Sequence, residues 1–200
     1  MPVALNIALE PPAPPQPPRK LWTRAELAAF NDAGLWTDQH LELIEGELIS
    51  KMGKNRPHIL ALVNMMRWLV DVFGWDRVNP EAPTDVAPQD NPTNEPQPDL
   101  IVFRQVASHF QSAVPRPDDL ALVVEVADTT LNFDLTVKAP LYARAGIIEY
   151  WVLDLNGRRM IVHREPQDGS YRSVVAFGEQ EAVAPLAAPE RELLVRDVLL

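Results

Sequence analysis

A single carboxylate stands inside the most apolar run of this chain, Leu120-Ala-Leu-Val-Val-Glu-Val126, where Glu125 sits one residue from the end. An ionised group there is costly to desolvate unless a partner or a cation compensates it. A second apolar run, Leu100-Ile-Val-Phe103, follows directly on Pro98-Asp99. Runs without polar alternation suit strands covered on both faces, so the two predict a central layer sheltered by helices. If these strands are neighbours, Asp99 and Glu125 converge at one edge of the sheet. Oxygen donors of this kind suit a hard divalent cation, magnesium or manganese above all. Acids in such places also serve as turn caps and structural ion pairs, and spacing alone leaves both readings open.

The flanking sequence supplies the rest of a single domain over residues 21–200. Pro11 to Pro18 can form neither helix nor sheet interior, so residues 1–20 read as an extended, proline-rich arm. Thr23-Arg-Ala-Glu26 has capping-box spacing and predicts a helix to about Asp32 that stops near Gly34. Leu41 to Ser50 reads as two short strands bent about Gly46. His58 to Phe73 is a helix on the spacing of Leu62, Met65, Met66, Leu69 and Phe73, ended by Gly74, with its methionines as core filler. Residues 79–97 read as loop, interrupted at most by a short strand around Thr84–Ala87. A further helix is expected from Leu135 to Ala145, with Pro140 tolerated only near a first turn.

The C-terminal third reads as an antiparallel meander. Asn156-Gly157 is a two-residue hairpin signal between Glu149–Asp154 and Arg158–His163, and Gln167-Asp-Gly169 turns the chain into Tyr171 to Phe177. A last segment near Leu193–Leu200 closes the structure. Together these elements predict an α/β (α+β) fold, a mixed sheet flanked by helices. Trp36, Trp68, Trp75 and Trp151 are expected as core or interface bulk.

Composition narrows the chemistry. With no cysteine, disulfides, thiolate zinc clusters and thiol nucleophiles are excluded. The chain shows no basic leader and no run of the ~20 apolar residues a membrane span needs, which predicts a cytoplasmic protein. A net charge of −10 is unusual for a protein gripping phosphate backbones, but the local field at a site outweighs the sum. It fits a carboxylate-rich site that awaits a divalent cation. His40, His109 and His163 lack metal-ligand spacing, and neither a glycine-rich phosphate loop nor a Gly-x-Ser-x-Gly turn is present.

Several segments resemble one family in order and spacing. They are Pro98-Asp-Leu-Ile-Val, Val123-Val-Glu-Val-Ala-Asp-Thr-Thr, and the long block Lys138-Ala-Pro-Leu-Tyr-Ala-Arg-Ala-Gly-Ile-Ile-Glu-Tyr-Trp151, with Leu43-Ile-Glu-Gly-Glu-Leu and His58 matching as well. The family is that called Uma-two, described as restriction endonucleases of the PD-(D/E)XK superfamily, and the likeness covers about Trp22 to Leu200. It implies a restriction-endonuclease-like fold and a magnesium-dependent (or manganese-dependent) site that hydrolyses DNA phosphodiesters. Carried over by position, Asp99 and Glu125 become the metal-binding and catalytic acids, Val126 offers its backbone carbonyl, and Glu45 completes the acidic set or holds a second cation. The superfamily's plain pattern has a lysine two residues after the second acid, where this chain has Ala127; the family resemblance assigns that role to Lys138. Asp134 is then a helix-start or i,i+4 partner of Lys138 rather than a ligand, and His58 an accessory group or a plain helix cap.

Two other classes stay open on sequence. The chain could be a catalytically inactive binding or assembly module with the nuclease fold, or it could act on another phosphate compound. DNA is the expected substrate, no membrane is involved, and a homodimer is expected, paired through the hairpin strands after Trp151.

Overall fold

The two apolar runs form adjacent strands at the centre of a six-stranded sheet in the computed structural model, which describes residues 18–35, 41–51, 55–106 and 114–199. The proline arm up to residue 17, Trp36, His40 and His109 lie outside the described residues. In chain order the elements are α1 (Arg24–Asp32), β1 (Leu41–Ile44), β2 (Glu47–Ser50), α2 (Arg56–Phe73), β3 (Val78–Pro80), β4 (Leu100–Phe103) and β5 (Leu120–Ala127). A helical segment follows, made of α3 (Leu131–Phe133), a π-helical stretch Asp134–Lys138 and α4 (Ala139–Arg144). Then come β6 (Glu149–Asp154), β7 (Arg159–Gln167), β8 (Ser170–Gly178), β9 (Ala182–Val183) and β10 (Leu193–Leu194). The large sheet has the order β3-β4-β5-β6-β7-β8. Its pairs are antiparallel except β5–β6, which run parallel because the 131–144 helical segment returns the chain to the starting edge.

Every residue of β5 is buried, and alternate side chains go to opposite layers. Leu122, Val124 and Val126 join Met65 and Leu69 of α2 on one face, while Val123 and Ala127 join Tyr142 and Ala143 of α4 on the other. Such double cover explains the unbroken apolar runs. α2 turns Ala61, Met65, Leu69 and Phe73 to the sheet, and Trp68 stacks on the fully buried Trp151. Trp75, by contrast, is largely exposed.

Local signals mostly act as expected. Thr23 and Glu26 form both halves of the capping box of α1, and Asn55 caps α2 with Pro57 in its first turn. Glu45 and Gly46 both take positive φ, 50° and 78°, as a two-residue turn between β1 and β2 requires. This hairpin docks on residues 93–97 through the Leu43–Glu95 bridge and a bond from the Gly46 N–H to the Thr93 carbonyl.

Three details differ from the sequence expectation. Asn156-Gly157 is not a two-residue hairpin: Asp154 pairs with Arg159, leaving a four-residue loop. The Asp154 carboxylate accepts from the Gly157 N–H at 2.8 Å and from Arg159, and this cap holds the wider turn. No strand forms at 84–87, because the N–H groups of Thr84, Asp85 and Val86 go to three unrelated acceptors, the Pro96 and Pro115 carbonyls and the Asn91 side chain. The short strand lies earlier, at β3. Helix also begins before Leu135, at Leu131, and Pro140 is accommodated because α-geometry restarts at Ala139 after the π stretch, putting Pro140 in a new first turn.

Leu69 and Leu60 lie on opposite sides of α2, fully buried and half-exposed respectively. Leu69→Ala should therefore cost about 2–5 kcal/mol in urea unfolding and Leu60→Ala less than about 1 kcal/mol. Equal losses would mean that α2 does not pack as described.

Candidate active site

The register of the central strands builds the site. Leu100 pairs with Val124 in the antiparallel β4–β5 ladder, so one step outward Asp99 faces Glu125 on the same side of the sheet. The two are tied reciprocally: the Asp99 N–H donates to Glu125 Oε2 at 3.2 Å, and the Val126 N–H donates to Asp99 Oδ2 at 3.0 Å. Both residues are buried, at 3 % exposure each. They line a cavity of about 180 Å³ whose walls also include Glu42, Lys51, His58 and Lys138.

Lys138 enters from the helical segment. Its Nζ lies 2.8 Å from Glu125 Oε1 and 2.9 Å from Glu42 Oε1, and the Tyr142 hydroxyl donates to the same Glu125 oxygen at 3.3 Å. The π stretch turns both Asp134 and Lys138 into the buried layer. Asp134 accepts from the Thr130 hydroxyl at 2.7 Å and lines the cavity. Ala127, where the plain superfamily pattern has a lysine, is wholly buried in the same layer as Ala139 and Tyr142. A long side chain rooted there would occupy the space of the helix that delivers Lys138.

From the other side, α2 and the β1–β2 hairpin close on Asp99. His58 Nε2 is 3.4 Å from Asp99 Oδ2, and Lys51 Nζ is 3.6 Å from Asp99 Oδ1. Glu42 is fixed by the Gln97 N–H, which donates to its Oε2 at 3.2 Å.

The structure thus brings together Asp99, Glu125, Val126, Lys138 and His58, and it leaves Glu45 out. Glu45 is a turn residue whose side chain, more than half exposed, meets Arg144 at 3.5 Å. The hairpin acid at the cavity is Glu42, three residues earlier. It is an acid within an apolar strand, the same signal that marks Glu125, but that signal alone does not separate it from Glu45, just past the end of the same strand. Lys51 had no such signal, since a lysine beside a Gly-Lys-Asn stretch reads as solvent-exposed. His163 is elsewhere, packed against the rings of Tyr150 and Tyr171.

Burial sets the electrostatics. It pushes the Glu125 carboxyl up to about 8, with the Asp99 charge adding and Lys138 opposing. Asp134 is raised to about 6, again by burial first. Burial works against the Lys138 charge too, but Glu125, Glu42 and Asp134 outweigh it and hold the ammonium well above its ordinary value. The pocket therefore carries more negative charge than suits it, a condition that an added cation relieves.

A raised carboxyl favours the protonated folded state. The stability contributed by Glu125 is full below its ordinary 4.5 and is lost as pH rises through about 8. In chelator-treated protein, the urea midpoint of the parent relative to Glu125→Gln should fall between about pH 5 and about pH 8.5. A parent–variant difference that stays constant over that range would contradict a desolvated Glu125.

Comparison with known proteins fits this architecture. No curated protein sequence matches the chain. The crystal structure of a protein from Anabaena variabilis, titled a "putative nuclease belonging to DUF820", superposes with a TM-score of 0.61 at 18% identity, over 81% of this chain and 90% of that one. The likeness shows a shared fold, a mixed sheet with helices on both faces. The model of the Uma2 (Uma-two) family, described as "Putative restriction endonuclease", matches residues 27–196. That match runs from α1 to the turn after β10, and the chain belongs to the Uma2 family.

Proposed function

We propose that the protein is a metal-dependent nuclease that hydrolyses phosphodiester bonds in DNA. The observation that carries the reading is the cross-strand tie between Asp99 and Glu125, which holds two buried carboxylates face to face at the wall of a cavity. Among the described residues no three acid or imidazole side chains group closely enough to hold an ion by themselves. The donor set proposed is two carboxylates and the Val126 main-chain carbonyl, all hard oxygens that suit magnesium or manganese.

A bound divalent cation would supply Lewis acidity and a water of lowered pKa. The protein's own groups do the rest. Asp99 and Glu125 hold the cation, and the main-chain bonds that each side chain accepts keep both from rotating. Tyr142 orients Glu125, and His58 braces the Asp99 oxygen already bound by Val126. Lys138, delivered by the helical segment where Ala127 carries no charge, spans Glu125 and Glu42 and offsets part of the cost of burying them. Glu42 completes the acidic set in the position expected of Glu45.

A cytoplasmic setting and a homodimer belong to the same reading. No helix among the described residues is long and apolar enough to cross a membrane. β8 ends the sheet, and beside the exposed Arg172 its edge leaves the apolar Val174 and Val175 half-exposed, a patch that a second copy can cover.

Asp99→Asn and Glu125→Gln should each lower divalent-dependent DNA cleavage by about 10²-fold or more, and Glu45→Gln should change it by less than about twofold. If both acid variants cut as well as the parent, the assignment is wrong. If the parent binds no manganese by calorimetry and cuts nothing, the inactive binding module is the better account. Sedimentation at micromolar concentration should show a dimer that Val174→Glu converts to monomer; a parent that sediments as monomer removes the dimer.

A further inference from the structure

Two described lysines meet the acids of this pocket, and they are bound in different ways. Lys138 is 3 % exposed and spans two carboxylates, at 2.8 Å from Glu125 and 2.9 Å from Glu42. To reach a substrate it would have to leave two buried acids uncompensated, which buried ion pairs resist strongly. Its contacts fit a pin between the helical segment, β5 and β1.

Lys51 approaches from the opposite wall, as the residue that follows β2. Its Nζ donates to the Gln97 carbonyl and lies 3.6 Å from Asp99 Oδ1, on the edge of ion-pair distance. The other Asp99 oxygen, Oδ2, is the one engaged by the Val126 N–H and His58. An ammonium has three donors, so the bond to Gln97 leaves capacity for further acceptors. When Asp99 takes a cation, its charge no longer favours the Lys51 ammonium, and like-charge repulsion drives the two apart. The chemical partner suited to a point charge on a flexible stem at such a place is a phosphate oxygen.

We propose that Lys51 is the lysine that contacts the substrate phosphate, and that Lys138 is a positioning residue holding Glu125 and Glu42. The proposal rests on the nuclease reading and assigns its two ammonium groups separate roles. Lys51 would then be a catalytic residue contributed by the hairpin, on the far side of the acids from the helical segment.

The test uses the full-length parent, Lys51→Gln and Lys51→Arg on a short labelled DNA duplex. Cleavage is followed in manganese, and binding in calcium is followed over a range of salt after checking that no cutting occurs. Lys51→Gln should lose about 10²-fold in cleavage, and the slope of log affinity against log salt should shrink by about one. Lys51→Arg should restore the slope, while manganese affinity and thermal stability stay with the parent in both variants. Parent-like cleavage and slope in Lys51→Gln, alongside an inactive Asp99→Asn, overturn the Lys51 role and leave the nuclease reading standing. A matching loss of manganese affinity or of stability would also overturn it, by making Lys51 a brace for Asp99. A parent that neither binds nor cuts DNA removes both readings together.

Discussion

Asp99 and Glu125 are held by the same hydrogen bonds that hold β4 to β5 at this end of the ladder. Where the ladder runs out, the Asp99 amide turns to the Glu125 carboxylate and the Val126 amide turns to the Asp99 carboxylate. Two buried acids are thereby satisfied by main-chain donors, whose positions the paired strands fix. Rigid sheet backbone is a more exact mount than a loop. Other parts of the pocket are arranged around that mount: α2 brings His58, the hairpin brings Glu42 and Lys51, and the helical segment brings Asp134, Lys138 and Tyr142.

The cost of that arrangement is concentrated charge in a dry place. Burial raises both Glu125 and Asp134, and Lys138 offsets only part of the cluster. A protein that tolerates such a pocket forgoes stability there, as functional sites commonly do. The surrounding core supplies the compensation, with Trp151, Tyr142 and the leucines of β4 and β5 wholly buried. Here the acidic total of the sequence finds a local meaning, because part of it is gathered at one cavity.

Much of this was legible in the residues. The unbroken apolar runs gave the two central strands, and the acid intruding in each place gave Asp99 and Glu125. Helix caps at Thr23 and turn glycines at 46, 74 and 169 acted locally, so they could be read locally. What could not be read depends on which way a segment faces once packed. Glu42 and Glu45 differ by three residues on one hairpin, and only docking against residues 93–97 decides which of them turns inward. Lys51 is hidden for the same reason. Asn156-Gly157 misled because Asp154 offers its carboxylate to the Gly157 amide, an interaction that outweighs the local turn preference.

The π stretch between α3 and α4 widens one turn of the helical segment, so that Ala139 bonds back to Asp134 across five residues. A wide turn acts as a phase shifter: it lets the residues before and after it choose their facing independently. Upstream, Asp134 can point at the acids; downstream, Tyr142 and Ala143 can still lie flat on the sheet. A strictly regular helix would tie those two orientations together, and a chain shortened by one residue here would have to give up one of them. The irregularity is what lets a single connection between β5 and β6 serve at once as structural cover and as the arm that carries an ammonium to Glu125.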